Sequence, residues 1–184
     1  MKTCKRVRGL LAFFLAFLLT AAMLPSVFAA GTSNVSIGST KLKEGENSIG
    51  GGTATLNTTE RTLILENVSS TEYLFIDSDA EFTIIVKGDT KIGSADSRTN
   101  GSALFSNDVS QLNIQVEQGA VFSLYTAEGN NIFLENGALK ISGPGKFVAN
   151  VTGDYPAIYT QKDIVFDQNL IAEVTSEQTG VYSN

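Results

Sequence analysis

Histidine and tryptophan are missing from this chain altogether, and its one cysteine, Cys4, stands at the extreme N-terminus. Each absence closes off a chemistry. Without histidine there is no imidazole general base, and without cysteine beyond residue 4 there is no thiolate nucleophile and no His/Cys zinc site. Nor can a disulfide framework form, so a folded body of this size must rest on its apolar core. Arginine is scarce too: beyond residue 9 there are only Arg61 and Arg98. Proline occurs three times, at Pro25, Pro144 and Pro156. A convincing helical period is lacking throughout the chain after residue 30.

The N-terminus does carry a clear pattern. Met1 to Gly9 holds Lys2, Lys5, Arg6 and Arg8 and no acid, and Leu10 to Leu24 is apolar except for Thr20. Pro25 ends the run, and Val27-Phe28-Ala29 follows with small or branched residues at −3 and −1. A basic stretch, an apolar run of about 15 residues and a small-residue cut site predict a cleavable secretory signal peptide over residues 1–29. The run is shorter than the roughly 20 residues of a membrane span. Cys4 precedes it, so it is not placed as a lipid-acceptor cysteine. The expectation is a secreted or cell-surface protein with no transmembrane anchor after cleavage.

Cleavage also changes the charge. It removes four of the 13 basic residues, leaving nine against 19 acids, a net charge of −10. Such a field repels nucleic acid and anionic lipid and is compatible with cations or neutral glycans.

After the leader, apolar residues alternate in short runs separated by Gly, Asn, Asp, Ser and Thr. Examples are Leu63-Ile64-Leu65, Phe82 to Val86, Leu112 to Val116 and Leu139 to Ile141. Period two with β-branched and aromatic residues predicts strands. The pattern also repeats. An aliphatic–aromatic step recurs as Leu74-Phe75, Leu104-Phe105, Ile132-Phe133, Ile158-Tyr159 and Val181-Tyr182, with the aromatics 30, 28, 26 and 23 residues apart. After each of the first four steps a new strand is expected, starting at Phe82, Leu112, Leu139 and Ile164. Then come a turn with Gly88, Gly119, Gly145 or Asn169 and a further apolar stretch.

Units of 23–30 residues built only of strands and turns predict an all-β protein of the right-handed parallel β-helix (solenoid) class, in which stacked coils share one core. A β-sandwich with accidental periodicity is the alternative, since it also places strands at short regular intervals. The expected organisation is a signal peptide at 1–29, an N-terminal cap or hairpin region at 30–60 around Gly50-Gly51-Gly52, and solenoid coils at 61–184. The final Val181-Tyr182-Ser183-Asn184 matches the opening of a unit, Leu104-Phe105-Ser106-Asn107. This leads to the expectation of a truncated product or a fragment of a longer repeat protein, with self-association through an open C-terminal coil.

These motifs resemble a family of exported bacterial repeat proteins, the carbohydrate-binding-domain-containing proteins with right-handed parallel β-helix folds. The likeness rests on Val35-Ser36-Ile37-Gly38, on Gly50 through Leu56, and on Thr62-Leu63-Ile64-Leu65-Glu66-Asn67. It continues in Ala157-Ile158-Tyr159 with Asp163-Ile164, and in Ala103-Leu104-Phe105 with Asp108. It spans nearly all of the chain after the leader. The resemblance implies a glycan-binding or surface role, sometimes with calcium, and assigns no functional residue.

Three chemistries compete for the exposed residues. The column Phe75, Phe105, Phe133, Tyr159 and Tyr182 would form a ladder along one face, with rungs about 4.8 Å apart. Facing outward, it could meet sugar rings of an extracellular polysaccharide. Facing inward, it would fill the core, and this is the favoured expectation, because tryptophan, the usual sugar platform, is absent. Asp77, Asp79 and Glu81 alternate in a short segment and would gather three carboxylates for calcium if that segment were extended, although a plain solvated turn is the simpler expectation. A polysaccharide lyase or hydrolase is the least supported class. Its arginines lie far apart, and a carboxylate pair can always be imagined among 19 acids. The expectation is therefore a non-catalytic binding module, with a purely structural or adhesive repeat segment as the alternative.

Overall fold

The computed structural model describes residues 33–183, so the expected export leader at 1–29 lies outside the described residues. Among the described residues there are strands and turns and no helix. The chain opens with β1 (Asn34–Ile37), β2 (Thr40–Lys41), β3 (Gly45–Ile49) and β4 (Gly52–Asn57). It continues as β5 (Thr62–Glu66), β6 (Ser69–Ser70) and β7 (Leu74–Asp77), then β8 (Phe82–Lys87), β9 (Asp89–Ile92), β10 (Thr99–Asn100) and β11 (Leu104–Ser106). Next come β12 (Gln111–Val116), β13 (Val121–Glu128) and β14 (Ile132–Leu134), followed by β15 (Ala138–Ser142), β16 (Lys146–Val151) and β17 (Ile158–Thr160). β18 (Ile164–Phe166), β19 (Ile171–Thr175) and β20 (Val181–Ser183) complete it.

These strands sort into three sheets. The first runs β2-β1-β7-β11-β14-β17-β20, the second β19-β16-β13-β9-β6 with β10 beside β13, and the third β18-β15-β12-β8-β5-β4-β3. From β5 onward the chain visits the third, second and first sheets in that order, five times over. Every pairing between successive rounds is parallel. That pairing excludes an antiparallel sandwich, the alternative open from periodicity alone. Only the N-terminal strands pair antiparallel: β1 with β2 and β7, β3 with β4, and β4 with β5.

The register stacks like on like. Leu74, Leu104, Ile132, Ile158 and Val181 form one line in the first sheet. Ile84, Ile114, Ile141 and Phe166 form another in the third. Because strand side chains alternate between faces, these columns point inward together. The interior they make is fully apolar over long stretches, with Leu74, Ile76, Ile84, Leu104, Ile114, Ile132 and Ile141 all at 0% exposure. Its largest fillers are Phe82, Phe122 and Phe147, and the last two lie with ring centroids 6.1 Å apart.

Two details hold the rounds together. Asn131, buried at the entry to β14, donates from Nδ2 toward the Leu124 carbonyl (3.0 Å), the Thr126 hydroxyl (3.2 Å) and the Asn150 carbonyl (3.1 Å). β9 and β10 both lie against β13, along its first and second parts, with residues 93–98 looped out between them. At the base of that loop, Arg98 Nη1 donates to the Thr126 (3.3 Å) and Asn150 (3.1 Å) carbonyls, and its guanidinium stands 5.6 Å from the Tyr125 ring centroid. The edge strands β18, β19 and β20 leave Val165, Ile171, Val181 and Tyr182 exposed.

Candidate functional site

The five aromatics of the repeat, Phe75, Phe105, Phe133, Tyr159 and Tyr182, occupy one register line of the first sheet. They face outward. The favoured expectation, that they fill the core, is therefore corrected: the first four are partly exposed and Tyr182 is 43% exposed. The physical reason is alternation. In β7, β11, β14 and β17 the residues on either side of each ring are buried: Leu74 and Ile76, Leu104 and Ser106, Ile132 and Leu134, Ile158 and Thr160. Three phenylalanines from the other two sheets, Phe82, Phe122 and Phe147, take the packing role instead.

Parallel in-register stacking has a chemical consequence for the ladder. Phe133 and Tyr159 lie 5.2 Å apart at 8° between ring planes, and Tyr159 and Tyr182 lie 5.3 Å apart at 3°. Phe75 and Phe105 stack at 4.5 Å and 30°, and Tyr73 leans on Phe105 at 6.2 Å. Rings so arranged cover one another's π-faces and offer mainly their edges to a ligand. Among the described residues no ring contact links Phe105 to Phe133, although their backbones pair directly. The ladder is thus two stacks with an interruption, and the face of Phe133 turned from Tyr159 borders that gap.

Concavities lie along the same face. One, of about 430 Å³, is lined by Phe133, Tyr155, Tyr159, Tyr182, Asn130 and Gln178, together with Pro156 and Thr179. Another, of about 410 Å³, borders Phe133 and is lined by Gly101, Ser102 and Gly129 together with Tyr155, Asn130 and Glu128. The Gly101 amide donates to the Glu128 carbonyl, and Gly129, at φ +107°, packs so closely on Gly101 that a side chain at Gly129 would strike its backbone. Tyr155 borders both concavities and is 45% exposed. The sequence reading missed it, because it sits outside the repeat in the turn between β16 and β17. The available signal was Gly153-Asp154-Tyr155-Pro156: proline biases Tyr155 to extended backbone, which swings a large ring outward from a turn.

The carboxylates expected to gather for calcium do not. Asp77 ends β7 and accepts from Asn34 Nδ2 at 3.3 Å, whereas Glu81 accepts from Asn113 Nδ2. Between them the chain bends at residues 79–80, so the extended segment that would place Asp77, Asp79 and Glu81 side by side on one face is interrupted. Among the described residues no three acidic, histidine or cysteine side chains converge in a metal-holding group. Arg98 is committed to backbone carbonyls, and Arg61 precedes β5 with φ +50°.

The arrangement sets aromatic edges beside amide and hydroxyl groups along a face indented by shallow concavities. Comparison with family models, with curated proteins and with solved structures finds no match to this chain.

Proposed function

We propose that this chain is an exported, non-catalytic binding module for carbohydrate. In this reading its body is a right-handed parallel β-helix, with the antiparallel strands β1 to β4 covering one end. The observation that carries the proposal is the outward aromatic line, repeated at one register position through five rounds and bordered by Asn130, Gln178 and Tyr155. Sugars present apolar C–H faces beside hydroxyls, which an aromatic surface with neighbouring amides complements. Net charge and the lack of histidine fit extracellular binding better than nucleic-acid contact or acid–base catalysis. The resemblance to exported carbohydrate-binding-domain proteins points the same way.

The test is glycan-array binding of the protein, followed by titration of any ligand found. Tyr155→Ala and the Phe133→Ala/Tyr159→Ala pair should each weaken binding at least about tenfold while leaving the circular-dichroism spectrum unchanged. Binding that survives both would place the site elsewhere. A second reading, that of a structural or adhesive rod, is favoured by the mutual covering of ring faces, which makes the ladder a packing device. Under that reading no glycan binds, and the same substitutions act on stability alone.

A further inference from the structure

Beyond residue 23 this chain has no cysteine, methionine, tryptophan or histidine, so its five tyrosines, Tyr73, Tyr125, Tyr155, Tyr159 and Tyr182, are its readily oxidised side chains there. The fold gathers three of them: Tyr155, Tyr159 and Tyr182 line one concavity. Two of these are stacked. Tyr159 and Tyr182 hold one register position on the neighbouring parallel strands β17 and β20, with ring centroids 5.3 Å apart and 3° between ring planes. Among the described residues they are the one pair of tyrosines in ring contact, since Tyr73 leans on Phe105 and Tyr125 stands beside Arg98. Tyr182 is 43% exposed on the strand that closes the first sheet, so its ring is accessible to an oxidant. We propose that Tyr159 and Tyr182 form an oxidative cross-linking site, at which a peroxidase with hydrogen peroxide joins the two rings as dityrosine.

The site does not depend on the carbohydrate-binding reading. Its chemistry balances between the pair and the oxidant. Each phenol gives up one electron and its hydroxyl proton, and hydrogen peroxide takes both electrons and both protons to become two waters. The two phenoxyl radicals carry unpaired spin on the ring carbons ortho to oxygen. One carbon–carbon bond forms between an ortho carbon of each ring, and the two ortho hydrogens move as protons to the oxygens, restoring both phenols. In-register stacking brings the partners together before any oxidant arrives. Coupling within the chain is then effectively unimolecular, and it outruns coupling between copies in dilute solution. The new bond ties the closing strand β20 to β17 across 23 residues of chain. A disulfide plays that part in chains that have the cysteines to make one.

The test is treatment of the folded protein, in dilute solution, with a haem peroxidase and hydrogen peroxide, followed by intact mass, fluorescence and a tryptic map. The monomer should lose two hydrogen atoms and gain the blue emission of a biphenol. The map should show the peptides 147–162 and 163–184 joined. Tyr159→Phe and Tyr182→Phe keep an aromatic ring at each position, so the fold should tolerate them, and each should abolish the product. Tyr155→Phe should leave it in place. Amide exchange in β20 should slow on cross-linking. Product that persists in Tyr159→Phe or Tyr182→Phe, or that is lost in Tyr155→Phe, would overturn the assignment of the pair. A monomer that stays unmodified, or that couples only to other copies, would do the same. Equal monomer yield from protein treated in urea would show that the fold does not select the site. A cross-linked monomer whose β20 amides exchange as fast as before would overturn the stapling role.

Discussion

Asn131 is the most demanding single residue in the interior. Its amide faces the Leu124 and Asn150 carbonyls and the Thr126 hydroxyl from a position at 0% exposure. Asn131→Ala removes a donor from buried acceptors and should cost about 1–3 kcal/mol. Asn131→Asp is expected to be worse despite its near-identical shape, because a buried carboxylate would face the Leu124 and Asn150 carbonyl oxygens, while the nearby Arg98 guanidinium is already engaged with the Thr126 and Asn150 carbonyls. Urea denaturation of both variants checks the order, and an Asp variant as stable as the Ala variant would contradict the network. At the surface, Glu44 accepts from the Thr58 backbone amide at 2.9 Å, and this bond, joined by one from the Thr58 side chain, holds its carboxyl below the usual glutamate range. A lowered folded-state value means that its contribution is present above the ordinary glutamate pKa. It is lost as pH falls through the lowered one. An NMR titration of the Glu44 side chain should show that low midpoint.

Strands and turns divide the work by face. The inward member of each strand sets stability, and the outward member is free for other use. Phe147→Ala, at a fully buried position on β16, should therefore cost about 3–5 kcal/mol. Tyr159→Ala should cost far less, because its ring is partly exposed and loses mainly its two stacking partners, at about 0.5–1.5 kcal/mol each. Thermal melts of the two variants decide this; equal losses would mean that the ladder is core. The turn between β15 and β16 shows why glycine is needed. Gly143 has φ +100°, and a side chain there would meet the Val116 carbonyl of the preceding round. Strand alternation was legible in the sequence because burial on one face imposes period two. The direction of Phe105 and Phe133 was not, since an alternating run looks the same whichever face is inside, and both candidate faces here carried large apolar residues.

Across the described body, each round is supported by the rounds on its two sides, so local stability follows position. Strands β8, β12, β13, β15 and β16 have paired neighbours on both edges, whereas β18, β19 and β20 each close one sheet. Hydrogen exchange should be slowest in the former and fastest in the latter. The closing strands also expose Ile171 at 59% and Val165 at 49% beside unpaired backbone groups. Sedimentation of the 184-residue chain is expected to show association that rises with concentration and weakens on Ile171→Lys. The repeat spacing was readable in advance from the recurring aliphatic–aromatic step, because stacked parallel strands demand like residues at like positions. The loop at 93–98 was not readable, since it lies outside the repeated pattern, and Tyr155 could be reached only through the turn signal before Pro156.

Taken by itself, the sequence determined the strand-only character of the described residues, the repeat and its register, and the lack of imidazole anywhere and of thiol beyond residue 4. These follow from local alternation and from composition, which need no knowledge of neighbours. Only the tertiary structure decided which side of the aromatic line meets water, where the ladder breaks, and that Tyr155 borders the groove of Tyr159 and Tyr182. Those depend on which residues distant in sequence share the interior. Once Phe82, Phe122 and Phe147 occupy it with the aliphatic columns, the repeated rings have nowhere to go but out.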